Sequence, residues 1–417
     1  MSKIALIDYG CHSFTFRLAA HLQTNGISIN YYANGSLESP NLQSLPTWQK
    51  NFPDLVRIVR TAQPYGKMNL RERLMGELDW ASRCVKALEQ SPPSSIVCSC
   101  LPLPVVSKIQ SWARRHRIPF VYWLQDLQSI AIAELLGNRL GAVGAALGWI
   151  AKNLELTLLK RSDHVIAIAR AHERFLPSQV RDAERFTTLE NWANIEDIPL
   201  LPHENDWAAQ HRLHNTVNIV YSGTLGFKHD LTVFPALAAA FSDQPHVRIV
   251  VVSSGAAADH LLREAKRSNL ANLIVLPFQP YEYLPSVLAS AAILIAPLDP
   301  SAGSFCVPSK ILSYLCAGRP SVLAIDRENP AAQMITAAKA GIIVKPGDTG
   351  AFVSAIQSLA SDSLWQQRLG GAARAYAEAT FKIENVSTRF LQILQSAGIT
   401  IHQGAVGVTP VPNYLTT

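Results

Sequence analysis

The sequence predicts an α/β protein with two domains, each a parallel sheet covered by helices on both faces. Three observations predict it. Apolar runs of strand length alternate with longer runs of helical period along nearly the whole chain, and strict alternation implies parallel strands joined by crossover helices. A stretch over residues 195–216, with Pro199 and Pro202 bracketing leucines and a polar helix after them, interrupts the alternation near its middle. The length, 417 residues, exceeds what one hydrophobic core usually serves. The expected limits of these Rossmann-like domains are 1–195 and 196–383.

The first half opens with an apolar strand, Ile4 to Asp8, the turn Tyr9-Gly10-Cys11-His12-Ser13, a helix from Phe14 to Asn25 closed by Gly26, and a strand from Ile27 to Ala33. Open α/β sheets hold ligands at the carboxyl ends of their strands, which marks this first turn. A dinucleotide site would place Gly-x-Gly-x-x-Gly here, and only Gly10 is present, so a nicotinamide cofactor is not indicated. Residues 34–67 are rich in Pro, Asn, Ser and Gln and predict a long irregular loop. A helix from Met68 to Gln90 is broken by Ser91-Pro92-Pro93, and a strand from Ser95 to Leu101, a helix from Pro104 to His116 and a strand from Ile118 to Leu124 follow. Cys98 and Cys100 are expected on one face of their strand as small hydrophobes. Asp126 comes just after a strand end, where it either faces a ligand or caps the helix that starts at Leu127. Leu127 to Lys160 reads as helix interrupted around Gly141, Gly144 and Gly148, and strands over His164 to Ala169 and Phe186 to Asn191 close the half.

The second half opens with the strand Asn218 to Tyr221 and the turn Ser222-Gly223-Thr224-Leu225-Gly226-Phe227-Lys228-His229. Gly223 and Gly226 allow backbone amides to approach an anion, and Lys228 adds charge. Five more strands are expected, over Val247 to Val252, Leu273 to Pro277, Ala292 to Pro297, Ser321 to Ile325 and Ile342 to Val344. Before the fourth of these, Ser309 is a candidate N-cap, Ile311, Leu312 and Leu315 give one apolar face, and Gly318 with Pro320 ends the helix. Lys310 puts a full charge at a helix start, which already favours anions. Helices over Leu364 to Ala379 and Glu384 to Ala397 precede a Gly/Pro/Thr/Val tail, 398–417.

Composition narrows the function. Hydrophobic residues make up 48% and charged residues 16%, a globular balance. The longest apolar candidates, Leu140 to Ala151 and Leu284 to Leu298, are too short to span a bilayer. Met1-Ser2-Lys3 leads straight into a strand, so a cytoplasmic chain is expected. The net charge of +6 is weighted toward the first third, a distribution suited to an anionic membrane surface or a diphosphate-bearing acceptor, or simply to a solvated face. No basic–aromatic module points to nucleic acid. The six cysteines include no Cys-x-x-Cys pair, and no Cys/His set has zinc spacing.

The segment Pro308-Ser309-Lys310, four residues, Leu315-Cys316-Ala317-Gly318-Arg319-Pro320 resembles the donor-sugar element of the retaining glycosyltransferases of the GT-B group. Within that group it is most similar to the bacterial polysaccharide branch named for colanic acid and O-antigen synthesis. Trp123-Leu124-Gln125-Asp126 and the Gly223 to Lys228 turn also resemble elements of that branch, as does Asn191-Trp192, where the chain crosses between domains. The resemblance implies two facing Rossmann-like domains, the last helix (384–397) returning to the first of them, and a nucleotide-diphosphate sugar as donor. It implies catalytic roles for Asp126, Lys228 and Lys310. For the donor it implies contacts at Gly10, His12, Gly223, Thr224, Gly255, Phe278, Gln279, Ser309 and Ser313. The family's two glutamates are replaced by Phe305 and Ser313, and its arginine in the glycine turn by Thr224. The acceptor implied is a saccharide or a polyprenyl-diphosphate-linked one, with a possible peripheral contact on the inner membrane face. No cofactor is called for, and the lack of an Asp-x-Asp pair implies transfer without a metal. Two other readings stand beside this one: a donor-binding scaffold that has lost activity, and a nucleotide-sugar epimerase on the same fold.

Overall fold

The computed structural model describes residues 3–401 except 38–41, 43–44, 64, 66–69, 170–171, 174–175, 183, 227 and 301–307. The chain divides into two compact units. One holds Met1–Asn191 and the stretch beginning at Ile383; the other is Trp192–Lys382.

The first unit carries β1 (Ile4–Asp8), α1 (Ser13–Thr24), β2 (Ile29–Asn34), α2 (Leu45–Asn51), β3 (Val56–Val59), α3 (Leu70–Gln90), β4 (Ser95–Ser99), α4 (Leu103–Arg115), β5 (Phe120–Leu124), α5 (Gln128–Arg161), β6 (His164–Ala167) and β7 (Phe186–Thr188). Its seven strands are all parallel, in the order β3-β2-β1-β4-β5-β6-β7. β1, β2, β4 and β5 are buried along their whole length, which explains why most of their residues are apolar rather than alternating with polar ones. Trp80 of α3 and Trp112 of α4 pack with Ile96, Cys98, Phe120 and Tyr122 in one core.

The expected loop over 34–67 is corrected here, because α2 and β3 lie within it and β3 pairs with β2 at the sheet edge. An edge strand of four residues with an arginine in it carries little periodic signal. α5 is two helices joined across Gly141, whose φ is 54°. Its second part, Gly141–Arg161, has a mean hydropathy of 1.2 and is long and apolar enough to cross a membrane by length and composition, a longer segment than its sequence run suggested.

The second unit carries α6 (Asp206–Gln210), β8 (Val217–Ser222), α7 (Val233–Ala240), β9 (Val247–Val252), α8 (Ala256–Arg267), β10 (Leu273–Leu276), α9 (Leu284–Ala289), β11 (Ile293–Pro297), α10 (Lys310–Cys316), β12 (Ser321–Ala324), α11 (Pro330–Ala338), β13 (Gly341–Val344), α12 (Thr349–Ala360) and α13 (Ser363–Thr380). The six strands run parallel in the order β10-β9-β8-β11-β12-β13. The last helix, α14 (Ile383–Ser396), lies in the first unit, against α1. There the Phe390 ring lies tilted against Trp123 with centroids 5.5 Å apart, and Arg389 donates to the Thr188 carbonyl at 2.9 Å. Both sheets are the expected α/β doubly wound type. Their strand order reverses between β1 and β4 in one, and between β8 and β11 in the other, and those reversals are where such sheets hold ligands.

Candidate active site

In the second unit the turn after β8 lies at the reversal. Tyr221 is buried at the end of β8, and its hydroxyl donates to the Thr224 carbonyl at 2.8 Å. The same hydroxyl accepts a bond from Lys310 Nζ at 2.6 Å, and that ammonium lies 4.1 Å from the centre of the Tyr221 ring. The Lys310 stem crosses directly over Gly223, where a Cβ would lie 3.0 Å from Lys310 Cε. Gly223 also has φ 137°, so glycine there serves both backbone and space. Gly223, Phe278, Gln279, Lys310, Ser313 and Tyr314 line one pocket. Gln279 is steadied by its neighbours: its Oε1 accepts from Trp207 Nε1 at 3.0 Å and its Nε2 donates to the Pro277 carbonyl at 3.0 Å. The Phe278 amide is held by Ser254 Oγ at 2.9 Å, while its ring is 49% exposed.

Lys228 is exposed on the same turn. Between it and Lys310 sits His229, buried, with its Nε2 3.3 Å from Lys310 Nζ and 3.1 Å from the Tyr221 hydroxyl. Burial and then the two lysine charges push its pKa down to about 4, so it is neutral near pH 7. Sequence reading gave His229 and Tyr221 no role; a histidine directly after the lysine of a glycine turn was the available signal.

Several expected residues stand elsewhere. Gly255 begins α8 with φ 96° and is exposed, and Thr224 is exposed with its carbonyl on Tyr221; neither lines the pocket. Ser309 is exposed in αR geometry and makes no side-chain cap, which corrects the expected N-cap. α10 is only two turns long, with Lys310 as its first residue, so the lysine rather than the helix dipole supplies most of the charge there. Gly318 does stop the helix, with φ 64°. Phe305 lies outside the described residues.

In the first unit the turn after β1 is wound around a buried carboxylate. Asp8 is fully buried and accepts from the Gly10 amide at 2.9 Å, the His12 amide at 2.8 Å, His12 Nδ1 at 3.0 Å, the Tyr31 hydroxyl at 3.0 Å and the Thr15 hydroxyl. The His12 ring lies over Gly10, where a Cβ would come within 2.0 Å of its Cε1. Burial opposes the His12 charge, but the Asp8 carboxylate outweighs it and raises the pKa to about 11. In turn the histidine and the hydrogen bonds hold Asp8 below the usual carboxylate range despite its burial. His12 is therefore a fixed cation near pH 7, with its side chain 35% exposed.

Cys100 is corrected as well. It is not a strand residue sharing a face with Cys98; it follows β4 with φ 57° and stands beside His12. Asp8, His12 and Cys100 offer ligand atoms within 4.8 Å of one another. A metal is poorly served there, because both Asp8 oxygens already accept strong hydrogen bonds.

Asp126 is exposed just beyond β5 and does not cap α5. The orphan amides at that helix start, Gln128 at 2.9 Å and Ser129 at 3.3 Å, donate instead to Glu155 from the second part of the same helix. Gln125 accepts from Asn191 Nδ2 at 2.8 Å, tying the end of β5 to the residue that closes the first unit.

Two family models match the chain in tandem. The one described as "Glycosyl transferase 4-like domain" matches residues 10–192, and the one described as "Glycosyl transferases group 1" matches residues 217–362. A protein of Escherichia coli (strain K12), WcaI, named as a colanic acid biosynthesis glycosyl transferase, is 25% identical over 271 residues. That alignment takes in 64% of this chain, which spans 65% of the length of that relative. Among solved structures, Alr3699/HepE of Anabaena in complex with UDP is 15% identical, with a TM-score of 0.69 over 95% of this chain and 100% of that one. Sucrose-phosphate synthase from Thermosynechococcus elongatus is 16% identical, with a TM-score of 0.70 over 95% and 98%. At these identities the structural likeness establishes a common fold.

Proposed function

The chain belongs to the group 1 glycosyltransferases of the GT-B fold, and from that premise we propose that it moves a sugar from a nucleotide-diphosphate donor to a saccharide or polyprenyl-diphosphate-linked acceptor in polysaccharide synthesis. The observation that carries the proposal is the Lys310 ammonium, held on the Tyr221 hydroxyl over Gly223 at a pocket that also includes Phe278, Gln279 and Ser313. Phe278 and Gln279 offer backbone groups to a nucleobase, and Ser313 offers a hydroxyl to a ribose. The diphosphate lies against the turn of Gly223 and Gly226, between Lys310 and Lys228.

When the bond between the anomeric carbon and the diphosphate breaks, negative charge grows on the leaving phosphate oxygens. A fixed ammonium in a site of low polarity stabilises that charge without reorganising at the moment of reaction. A leaving oxygen then takes the acceptor's proton on the face it has just left, so the configuration is retained and no protein nucleophile is needed. In this reading Asp126 orients the acceptor and His12 offers it a fixed positive charge. Neither the UDP and UDP-glucose held by the Anabaena protein nor the WcaI relative favours the scaffold or epimerase readings.

Purified protein incubated with a panel of nucleotide sugars and scored for release of nucleoside diphosphate tests this. One donor should turn over, Lys310→Ala should lower its rate by roughly 100- to 1,000-fold, and chelator should leave the rate unchanged. Release of nucleotide that Lys310→Ala does not slow would remove the basis of the proposal.

A further inference from the structure

His229 holds the Gly226 amide of the glycine turn. The Gly226 N–H donates to His229 Nδ1 at 3.1 Å, and the Gly226 carbonyl is 3.3 Å from the same nitrogen. A Cβ built on Gly226 meets no atom within 4 Å, so there is room beside it. With Nδ1 accepting, the proton of the neutral ring is on Nε2 and is donated to the Tyr221 hydroxyl, 3.1 Å away. The charges acting on the ring are both positive, Lys310 from α10 and Lys228 from its own turn. Of the neighbouring acids, Asp230 accepts from Thr232 through its carboxylate, and Asp299 is tied to the turn by its backbone amide, which donates to the Lys228 carbonyl. Tyr221, from β8, is itself kept protonated by burial.

This arrangement has two settings. While the ring is neutral, it occupies the Gly226 amide. If Nδ1 gains a proton it can no longer accept, and the carbonyl already 3.3 Å away becomes its partner. The amide is then free for another acceptor. A diphosphate on the turn favours that second setting twice over, because its negative charge offsets Lys228 and Lys310 and its oxygens accept from the freed amide.

We propose that donor binding transfers the Gly226 amide from His229 Nδ1 to a phosphate oxygen, and that His229 takes up one proton from solvent at Nδ1 and donates it to the Gly226 carbonyl. His229 is then a positioning residue for the diphosphate, one that links donor affinity to pH. The inference rests on the donor site placed in this turn under Proposed function.

The test is isothermal titration of the full chain near pH 6.5 with UDP-glucose and with GDP-mannose, whose diphosphates carry no proton that titrates there. Each titration is run in PIPES and in Tris, which differ in heat of ionisation. The wild type should show proton uptake on binding, as a heat that differs between the buffers, and affinity that rises as pH is lowered from 7.5 to 6. In His229→Gln, whose amide can still accept from Gly226 but cannot titrate, both effects should vanish. Tight binding with no buffer dependence overturns the inference, as does uptake that persists in His229→Gln. Failure of both ligands to bind instead counts against the donor reading itself, and circular dichroism of the variant separates misfolding from either outcome.

Discussion

Single residues decide the charge state of both turns, and they do so in opposite senses. His12 is cationic because Asp8 is beside it; His229 is neutral because it is buried, and two lysines beside it add to that. The consequences for stability follow from linkage. The His12 pKa is raised from 6.5 to about 11 by folding, so its contribution is complete below pH 6.5 and is lost as pH rises toward 11. Asp8, lowered from 3.8, contributes above that value and loses its contribution on acidification. The His229 pKa falls to about 4, so between pH 6.5 and 4 the unfolded chain binds more protons and the fold weakens as pH drops. Melting temperatures across pH 4–6.5 should therefore fall more steeply for the wild type than for His229→Gln. Asp8→Ala should cost on the order of 2–3 kcal/mol in urea unfolding, because it leaves the buried Tyr31 and Thr15 hydroxyls without their acceptor and the partly exposed His12 without its counter-charge. The sequence showed Asp8 only as the last residue of an apolar strand. That the chain would turn back and set His12 against it depends on Cys11 at φ 53°, which no pattern of residue types announces. Cys100 escaped for the same reason, a strand ending one residue before a left-handed turn.

At the scale of elements, α10 and α5 show two ways of closing helix ends with distant residues. The end of α10 is clamped by Arg374 of α13, whose Nη1 donates to the Cys316 carbonyl at 2.7 Å and the Ile198 carbonyl at 2.8 Å. Gly370 lets α13 come this close, since a Cβ there would lie 2.4 Å from the Gly318 carbonyl oxygen. Arg374→Lys keeps the charge but loses the planar fork, and should lower stability by about 1–2 kcal/mol. The start of α5 relies on Glu155, and Glu155→Ala should cost about 2 kcal/mol by leaving the Gln128 and Ser129 amides without partners. Chemical denaturation of each variant checks both values. Strands and helices were legible wherever a buried face imposed its period. They were missed at α2 and β3, where polar residues and an edge position leave almost none. The stop at Gly318-Arg319-Pro320 was legible because few residues other than glycine adopt φ 64° without strain.

At the scale of the molecule, the two sheets repeat one plan, with chemistry gathered where strand order reverses. Alternation, length and the interruption near residue 200 disclosed that plan; the side chains that complete each site came from turns the plan leaves unspecified. One surface reaches beyond the sugar chemistry. On the second part of α5, Gly144, Gly148 and Ala151 turn inward, while Val143, Leu147, Trp149 and Ile150 are 63%, 39%, 68% and 54% exposed. Lys152 is exposed in the middle of this part, and Lys160 and Arg161 are exposed at its end. An apolar surface with exposed basic residues on the same helix suits an anionic bilayer. The protein should sediment with phosphatidylglycerol vesicles, and Trp149→Glu with Ile150→Glu should abolish that while leaving the fold intact by circular dichroism.

The proposed donor site in the second unit is tested most directly by a crystal structure of the full chain with uridine or guanosine diphosphate. The account predicts the diphosphate against Gly223 and Gly226, within ion-pair reach of Lys310 and Lys228, and the base beside Phe278 and Gln279. A nucleotide bound elsewhere, or one seated in this pocket with Lys310 making no contact to phosphate, would contradict it.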